Sequence, residues 1–238
     1  MATYLRQQGV ESLSTRLLGL LRKGSKAIQN LAALKWCREQ GVTVAWNMLC
    51  GIPGERIEDY EEQIALMAKI PQLPPPEQAR PVAVDRFSPY FDGYREFGWI
   101  DIMPFREYRF MHPHLDEAAL RDIAYHFNGV GGVSTESYLG RLEEGVRDWQ
   151  TRCQRGDGLF MDPTQGLVIN EAAGARRVSS QGVVRRVMDC THDIVPIRRV
   201  VEQTRCELSL LREMARLGLV FIEGNRVVNL AVRTQLPE

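Results

Sequence analysis

No two cysteines in this sequence stand close enough to form a CxxC or a CxxxCxxC. The five, Cys37, Cys50, Cys153, Cys190 and Cys206, are scattered and odd in number, so local spacing draws neither a zinc ribbon nor an iron–sulfur loop. Net charge is missing too. Thirty acids balance thirty bases, which gives neither nucleic acid nor an anionic membrane an attractive field. No apolar run approaches the ~20 residues of a membrane-spanning helix. The start, Met1-Ala-Thr-Tyr-Leu-Arg6, has no basic head or apolar block of the signal-peptide kind. Together these absences predict reduced thiols and a cytoplasmic protein. There is no internal repeat and no low-complexity tract, and 238 residues suffice for one large unit plus a small one.

What is present is a succession of strand and helix patterns. Residues 12–24 read as a helix that Ser12 or Ser14 can cap, with Leu17, Leu18 and Leu21 as its stripe and Gly24 as its stop. A second helix starts at Ser25, carries Ile28, Leu31, Leu34 and Cys37 near one face, and ends at Gly41. Residues 42–50 alternate. Val44, Trp46 and Met48 point one way, and Ala45, Asn47 and Leu49 the other, which in a barrel strand is the lumen. A third helix holds Ile57, Tyr60, Ile64 and Met67, and residues 81–90 read as the next strand, with Ala83 and Asp85 on one face. Strand, helix, strand in this order implies parallel pairing. Further on, residues 116–127 read as helix, 128–137 as a glycine-rich turn and 138–155 as an amphipathic helix with Tyr138, Leu142, Val146 and Trp149 on one side. A hairpin is predicted across Pro163–Gly166. The end combines short helices, a helix over 206–217 and a hairpin, 219–223 with 226–232, which is winged-helix order.

Several residues invite chemical readings. Gly51-Ile-Pro-Gly-Glu55 follows a strand, so its glycines allow close approach of a ligand and the next helix start offers N–H groups to an anion. The same residues also suit a plain strand-to-helix turn. Glu11 and Ser12 stand at another such junction, where Glu11 accepts from a ligand ammonium or hydroxyl, or serves as a solvated helix-start acid. Alternation puts Asp85 and Arg86 on opposite faces, which argues against a working pair. His112-Pro-His114 lacks a third and fourth ligand and reads as a loop.

Taken in order, Gly9-Val-Glu-Ser12, Arg22-Lys-Gly24, residues 35–41, Asn47–Glu55 and Asp85–Phe91 resemble one family, the cobalamin-dependent radical S-adenosylmethionine (radical SAM) proteins that mature ribosomally made peptides. The resemblance covers nearly the whole chain but only the later part of that architecture. It implies an α/β fold, the C-terminal half of a partial (β/α)6 barrel over 1–112, then a helical and hairpin connecting region over 113–177 and an α+β winged-helix-like region over 178–238. It further implies S-adenosylmethionine contacts from Gly9, Glu11, Ser12, Asn47, Gly51 and Gly54, and substrate contacts from Asp85, Ser88 and Tyr90. Cys50 stands where an aromatic residue is expected. The family's cofactors are S-adenosylmethionine, a [4Fe–4S] cluster and cobalamin, and the thiolate ligands for the cluster are not in this sequence. The expectation is therefore the C-terminal segment of a peptide maturase, C-methylation being one such modification, that needs an N-terminal radical SAM half for activity; its expected partners are the precursor peptide and either that half or further copies of the chain. A non-catalytic peptide-binding or scaffold module is the alternative. A winged-helix DNA binder ranks last, because the helix over 206–217 sets Glu207 and Glu213 against Arg212 and Arg216.

Overall fold

Alternating and helical apolar patterns fold the chain back on itself, each element turning its greasy side to the next. The computed structural model describes residues 4–6, 9–131, 134–162, 166–172, 174–178 and 182–234, and shows a mixed α/β structure with several small sheets. β1 (Tyr4–Arg6) leads into α1 (Thr15–Leu20) and α2 (Ala27–Glu39), then β2 (Thr43–Ala45), β3 (Met48–Cys50), α3 (Ile57–Met67), β4 (Ala79–Pro81) and β5 (Ala83–Asp85). β1 runs parallel to β2, and β3 parallel to β4.

The strand expected over 42–50 is one extended run that changes partner midway. Its first half serves β1, and from Trp46 onward it bonds residues 77–81 instead. Its alternation holds: Val44, Trp46, Met48 and Cys50 are buried, while Ala45, Asn47 and Leu49 face a cleft. The helix expected over 12–24 is shorter, because residues 10–14 are held in a loop and Arg22, at φ +54°, turns the chain out of helix before Gly24.

After β5 the parallel pattern stops. α4 (Pro89–Asp92), β6 (Asp101–Pro104), α5 (Arg106–Met111), α6 (Glu117–Ile123) and β7 (His126–Val130) follow, and β7 pairs antiparallel with both β5 and β6. Three expectations are corrected here. The strand assigned to 81–90 ends at Asp85, the helix assigned to 116–127 ends at Ile123, and residues 126–130 form a strand instead of a turn. Gly129 is there for packing, since a Cβ would lie 2.0 Å from the Trp99 indole nitrogen. No barrel closes among the described strands.

α7 (Leu139–Arg155) presses Leu142, Val146 and Trp149 into the core and stops at Gly156, φ +77°. The rest comprises β8 (Gly158–Asp162), β9 (Gly166–Glu171), β10 (Gly174–Val178), α8 (Val183–Cys190), β11 (Val195–Pro196), α9 (Ile197–Thr204), α10 (Leu208–Arg216), β12 (Val220–Glu223), β13 (Arg226–Asn229) and β14 (Val232–Arg233). β8 and β9 form the expected hairpin, whose turn at 163–165 lies outside the described residues. The short helices, the following helix and the hairpin come in the order anticipated, and a short strand not foreseen, β11, joins them in the sheet order β11-β13-β12. The last hairpin ends at Asn229 rather than 232, because the chain then crosses over to lay β14 parallel against β8. None of the described helices is long and apolar enough to cross a membrane.

Packing gathers buried residues of 10–149, with Leu230 and Val232, around one core and residues of 159–231 around a second, while Ile28 and Ala32 of α2 pack with Val228; Phe127, Tyr138 and Trp149 of the expected connecting region belong to the first core. Lys35 of α2 joins the two. It is fully buried, and its ammonium donates to the carbonyls of His192 and Asn229 (3.3 Å to the latter) and to Asn229 Oδ1 at 3.4 Å. Burial pulls its pKa down to about 8, against the nearby charges of Glu39 and Asp193. The sign follows from proton counting. Between pH 8 and 10.5 the unfolded chain holds a proton on this lysine that the folded chain has released, so stability from Lys35 rises with pH, by on the order of 2–3 kcal/mol. Urea titrations of wild type and Lys35→Met across this window are expected to diverge by that amount. Parallel curves would show that the acceptors keep the ammonium charged.

Candidate functional site

The loop from Gly9 to Ser14 is where the sequence places its most unusual backbone. Glu11 has φ +47° without being glycine, and the Ser12 N–H bonds back to the Val10 carbonyl, a tight turn of the rare positive-φ kind. Such a conformation costs about 1–3 kcal/mol and persists only when its surroundings fix it. Here they do. The Asn30 amide donates to the carbonyls of Val10 (2.7 Å) and Ser12 (2.9 Å), and Gln63 Oε1 accepts from Ser12 Oγ (2.9 Å) and the Leu13 N–H (2.8 Å). The Leu49 N–H donates to the Glu11 carbonyl at 2.8 Å, which ties the loop to β3.

This cage presents the Glu11 side chain to an open cleft of about 1530 Å³. One carboxylate oxygen takes the Lys23 ammonium at 2.9 Å; the other, Oε2, is buried without a partner among the described residues. Asn47 lies two residues from Leu49 on the same strand face, and its Oδ1 is likewise buried and unpartnered. Lys23 also lies 5.5 Å from the Tyr90 ring centre. Burial acts to lower its pKa, but the hydrogen bond and charge of Glu11 outweigh it, and the net shift is upward. Tyr90 is raised by burial, with Lys23 opposing. The cleft thus offers two buried acceptors and a fixed cation. Its chemistry suits a ligand that brings hydrogen-bond donors, because a buried acceptor left empty costs about 1–3 kcal/mol.

The residues singled out from the sequence divide into two groups. Gly9, Glu11, Asn47, Asp85, Ser88 and Tyr90 all line this cleft. Asp85 Oδ1 lies 2.7 Å from His126 Nδ1, Ser88 Oγ caps α4 through the Phe91 N–H at 3.2 Å, and the Tyr90 hydroxyl donates to the Leu21 carbonyl at 3.0 Å. Arg86 points the other way, under Phe91 and Phe127. Ser12, Gly51 and Gly54 are not in the lining. Ser12 is fully buried in the Gln63 contact, the Gly54 carbonyl accepts from Arg16, and the Gly51 N–H donates to the Tyr138 hydroxyl at 3.1 Å.

The Gly51–Glu55 turn has its own internal anion. Glu55, 4% exposed, accepts from the Ile52 N–H (2.6 Å), from the Tyr60 hydroxyl (2.5 Å) and from the Tyr138 hydroxyl. The two rings stack 4.1 Å apart. Burial and then the Glu55 carboxylate hold both phenols protonated far beyond the ordinary tyrosine range. The N–H groups at 51 and 52 are therefore spent on the protein itself.

Sequence reasoning missed Lys23 and Arg22 as cleft residues, although it quoted both in the Arg22-Lys-Gly24 motif. A left-handed Arg22 is what swings Lys23 back toward Glu11, and only the glycine after it hints at the reversal. It also missed Tyr60 and Tyr138 as partners of Glu55, since they stand 78 residues apart in the chain. The thiols do not suit an iron–sulfur cluster. Burial pushes Cys50 up to about 12 and raises Cys37, Cys153 and Cys190, and the described residues hold no cluster of His, Cys, Asp and Glu fit for a metal ion. Comparison with protein-family models, curated proteins and solved structures gives no match.

Tyr138→Phe leaves the Gly51 N–H without its acceptor and Glu55 one donor short. The expected loss is about 1–3 kcal/mol with an unchanged denaturant slope. Wild-type stability in this variant would mean that water replaces the phenol without cost.

Proposed function

We propose that the cleft binds S-adenosylmethionine at the Glu11 and Asn47 end and a peptide at the Asp85, Ser88 and Tyr90 end. In this reading the chain is the C-terminal segment of a radical SAM maturase of ribosomally made peptides, with C-methylation as its modification. The observation that carries the reading is the strained Glu11, held by Asn30 and Gln63, with one carboxylate oxygen buried and unpartnered in the cleft that Asn47, whose Oδ1 is buried and unpartnered too, also lines. An ammonium, ribose hydroxyls or an exocyclic amine, all present in S-adenosylmethionine, supply the donors those two acceptors lack. Bound there, the cofactor would provide the methyl or adenosyl group. The chain's own residues hold and orient it, with Glu11 and Asn47 as acceptors and Lys23 paired with the Glu11 carboxylate.

The partial (β/α)6 barrel belongs to the proposal as well. The parallel pairs β1–β2 and β3–β4 with intervening helices support it, as do the cleft residues Asn47 and Asp85, which stand shortly after β2 and at the end of β5. Cluster thiolates come, in this reading, from protein outside these residues, since the five cysteines here are scattered and burial raises the pKa of Cys50 and Cys153. Cobalamin rests on the resemblance alone. The same thiol chemistry favours one second reading, a peptide-binding module without catalysis of its own.

Two measurements test these readings. Calorimetric titration with S-adenosylhomocysteine is expected to show one site, weakened about tenfold or more by Glu11→Gln and by Asn47→Ala; equal affinity in all three proteins would sink the assignment. Reconstitution of this chain alone with iron and sulfide is expected to give no [4Fe–4S] absorption, and about four tightly held irons per chain would overturn the need for outside thiolates.

A further inference from the structure

Four non-glycine residues adopt positive φ among those described, Glu11, Arg22, Phe87 and Arg205. Glu11 and Arg22 line the cleft, and Phe87 sits between the lining residues Asp85 and Ser88. Phe87 is the hardest to explain by folding. An aromatic residue at φ +65° is strained, and at 79% exposure its ring gains almost no packing in return. Glycine would meet the backbone requirement better.

The turn that carries it is fixed from both sides. The Arg86 guanidinium donates to the carbonyls of Ala124 (2.6 Å) and Arg121 and lies over the Phe91 ring, and the Arg86 N–H donates to the Tyr125 carbonyl at 2.7 Å. The Ser88 N–H returns to the Asp85 carbonyl at 3.0 Å, closing a four-residue turn whose third position is Phe87. With Arg86 locked inward, Phe87 stands outward at the mouth of the cleft. Next to it the Asp85 carboxylate is half exposed and held by His126. The charges around the cleft are unequal once neighbours pair. Glu11 is matched by Lys23 and Glu96 by Arg22, which leaves Glu77 and Asp92 against Arg80, with Asp85 facing only the His126 imidazole.

We propose that this rim is a docking point for a lysine or arginine side chain of an extended peptide, its cation set between the Phe87 ring face and the Asp85 carboxylate. An aromatic face beside a carboxylate is the combination that selects a cation over an apolar or acidic group. This rests on the reading of the cleft as a peptide site and names the substrate class it takes, a peptide with a basic residue next to the segment that enters. Phe87 and Asp85 are specificity residues here, with no part in the chemistry.

The test uses the full chain and short fluorescein-labelled peptides of glycine and serine with one central lysine, arginine, glutamine or glutamate, read by anisotropy. Lysine and arginine peptides are expected to bind saturably, glutamine more weakly and glutamate most weakly, with affinity falling as salt rises. Phe87→Gly is expected to lose about fivefold for the lysine peptide, the worth of an exposed cation–π contact, while its melting temperature stays level or rises. Asp85→Asn is expected to narrow the gap between lysine and glutamine. Equal binding of lysine and glutamate peptides, absence of saturable binding, or wild-type affinity in Phe87→Gly would each overturn the proposal, as would a lower melting temperature for that variant. S-adenosylhomocysteine is titrated into the same preparations. Intact nucleoside binding without peptide discrimination removes the rim proposal alone, and the reverse removes the cofactor assignment alone.

Discussion

Two buried amides, Asn30 and Gln63, hold the loop on which the cleft depends. Each makes two hydrogen bonds to residues 10–13, and between them they occupy the groups that would otherwise let Glu11 relax out of its positive φ. Gln63 comes from α3 and Asn30 from α2, so the loop's shape is a consequence of how both helices pack against the strands. Fully satisfied polar groups of this kind specify one arrangement because any other leaves them unpaired in a dry interior. The result is a carboxylate positioned before any ligand arrives.

The Glu55 cluster does similar work on the far side of β3. Its carboxylate gathers Tyr60, Tyr138 and the Ile52 N–H, and thereby clamps α3, α7 and the Gly51–Glu55 turn together. The turn resembles a ligand-binding device in sequence and serves as an internal joint in structure. Ligand capacity has moved to the other face of the same strand, where Asn47 and Leu49 look into the cleft. Lys35 then fastens this assembly to the C-terminal unit through Asn229 and the His192 carbonyl.

Much of this was legible in the residues, and what escaped has physical causes. Alternation over Val44–Cys50 told which side chains would be buried, because a half-buried strand has no other way to sort them. The spacing of Tyr138, Leu142, Val146 and Trp149 gave α7 nearly to the residue. By contrast β7 read as a turn, since Gly129 is there to admit the Trp99 indole and local propensity cannot register a ring thirty residues away. Ser12 read as a cap or ligand contact, and a glutamine fifty-one residues later claims it instead. Glu11 was read from a strand-to-helix junction and Asn47 and Asp85 from strand alternation, and all three line the cleft. The residue that breaks a local rule most plainly, Phe87, lies within the Asp85–Phe91 stretch but shows nothing in sequence of its positive φ.

In the proposed reading the two buried acceptors of the cleft, Glu11 Oε2 and Asn47 Oδ1, seat a donor-bearing ligand. A crystal structure of the chain grown with S-adenosylhomocysteine tests it most directly. The account predicts the nucleoside amino acid in the cleft, with donor atoms within hydrogen-bond distance of both oxygens and the 9–14 loop unmoved. A ligand lodged elsewhere, or a cleft in which Glu11 turns away and the two oxygens bond to protein groups, would contradict it.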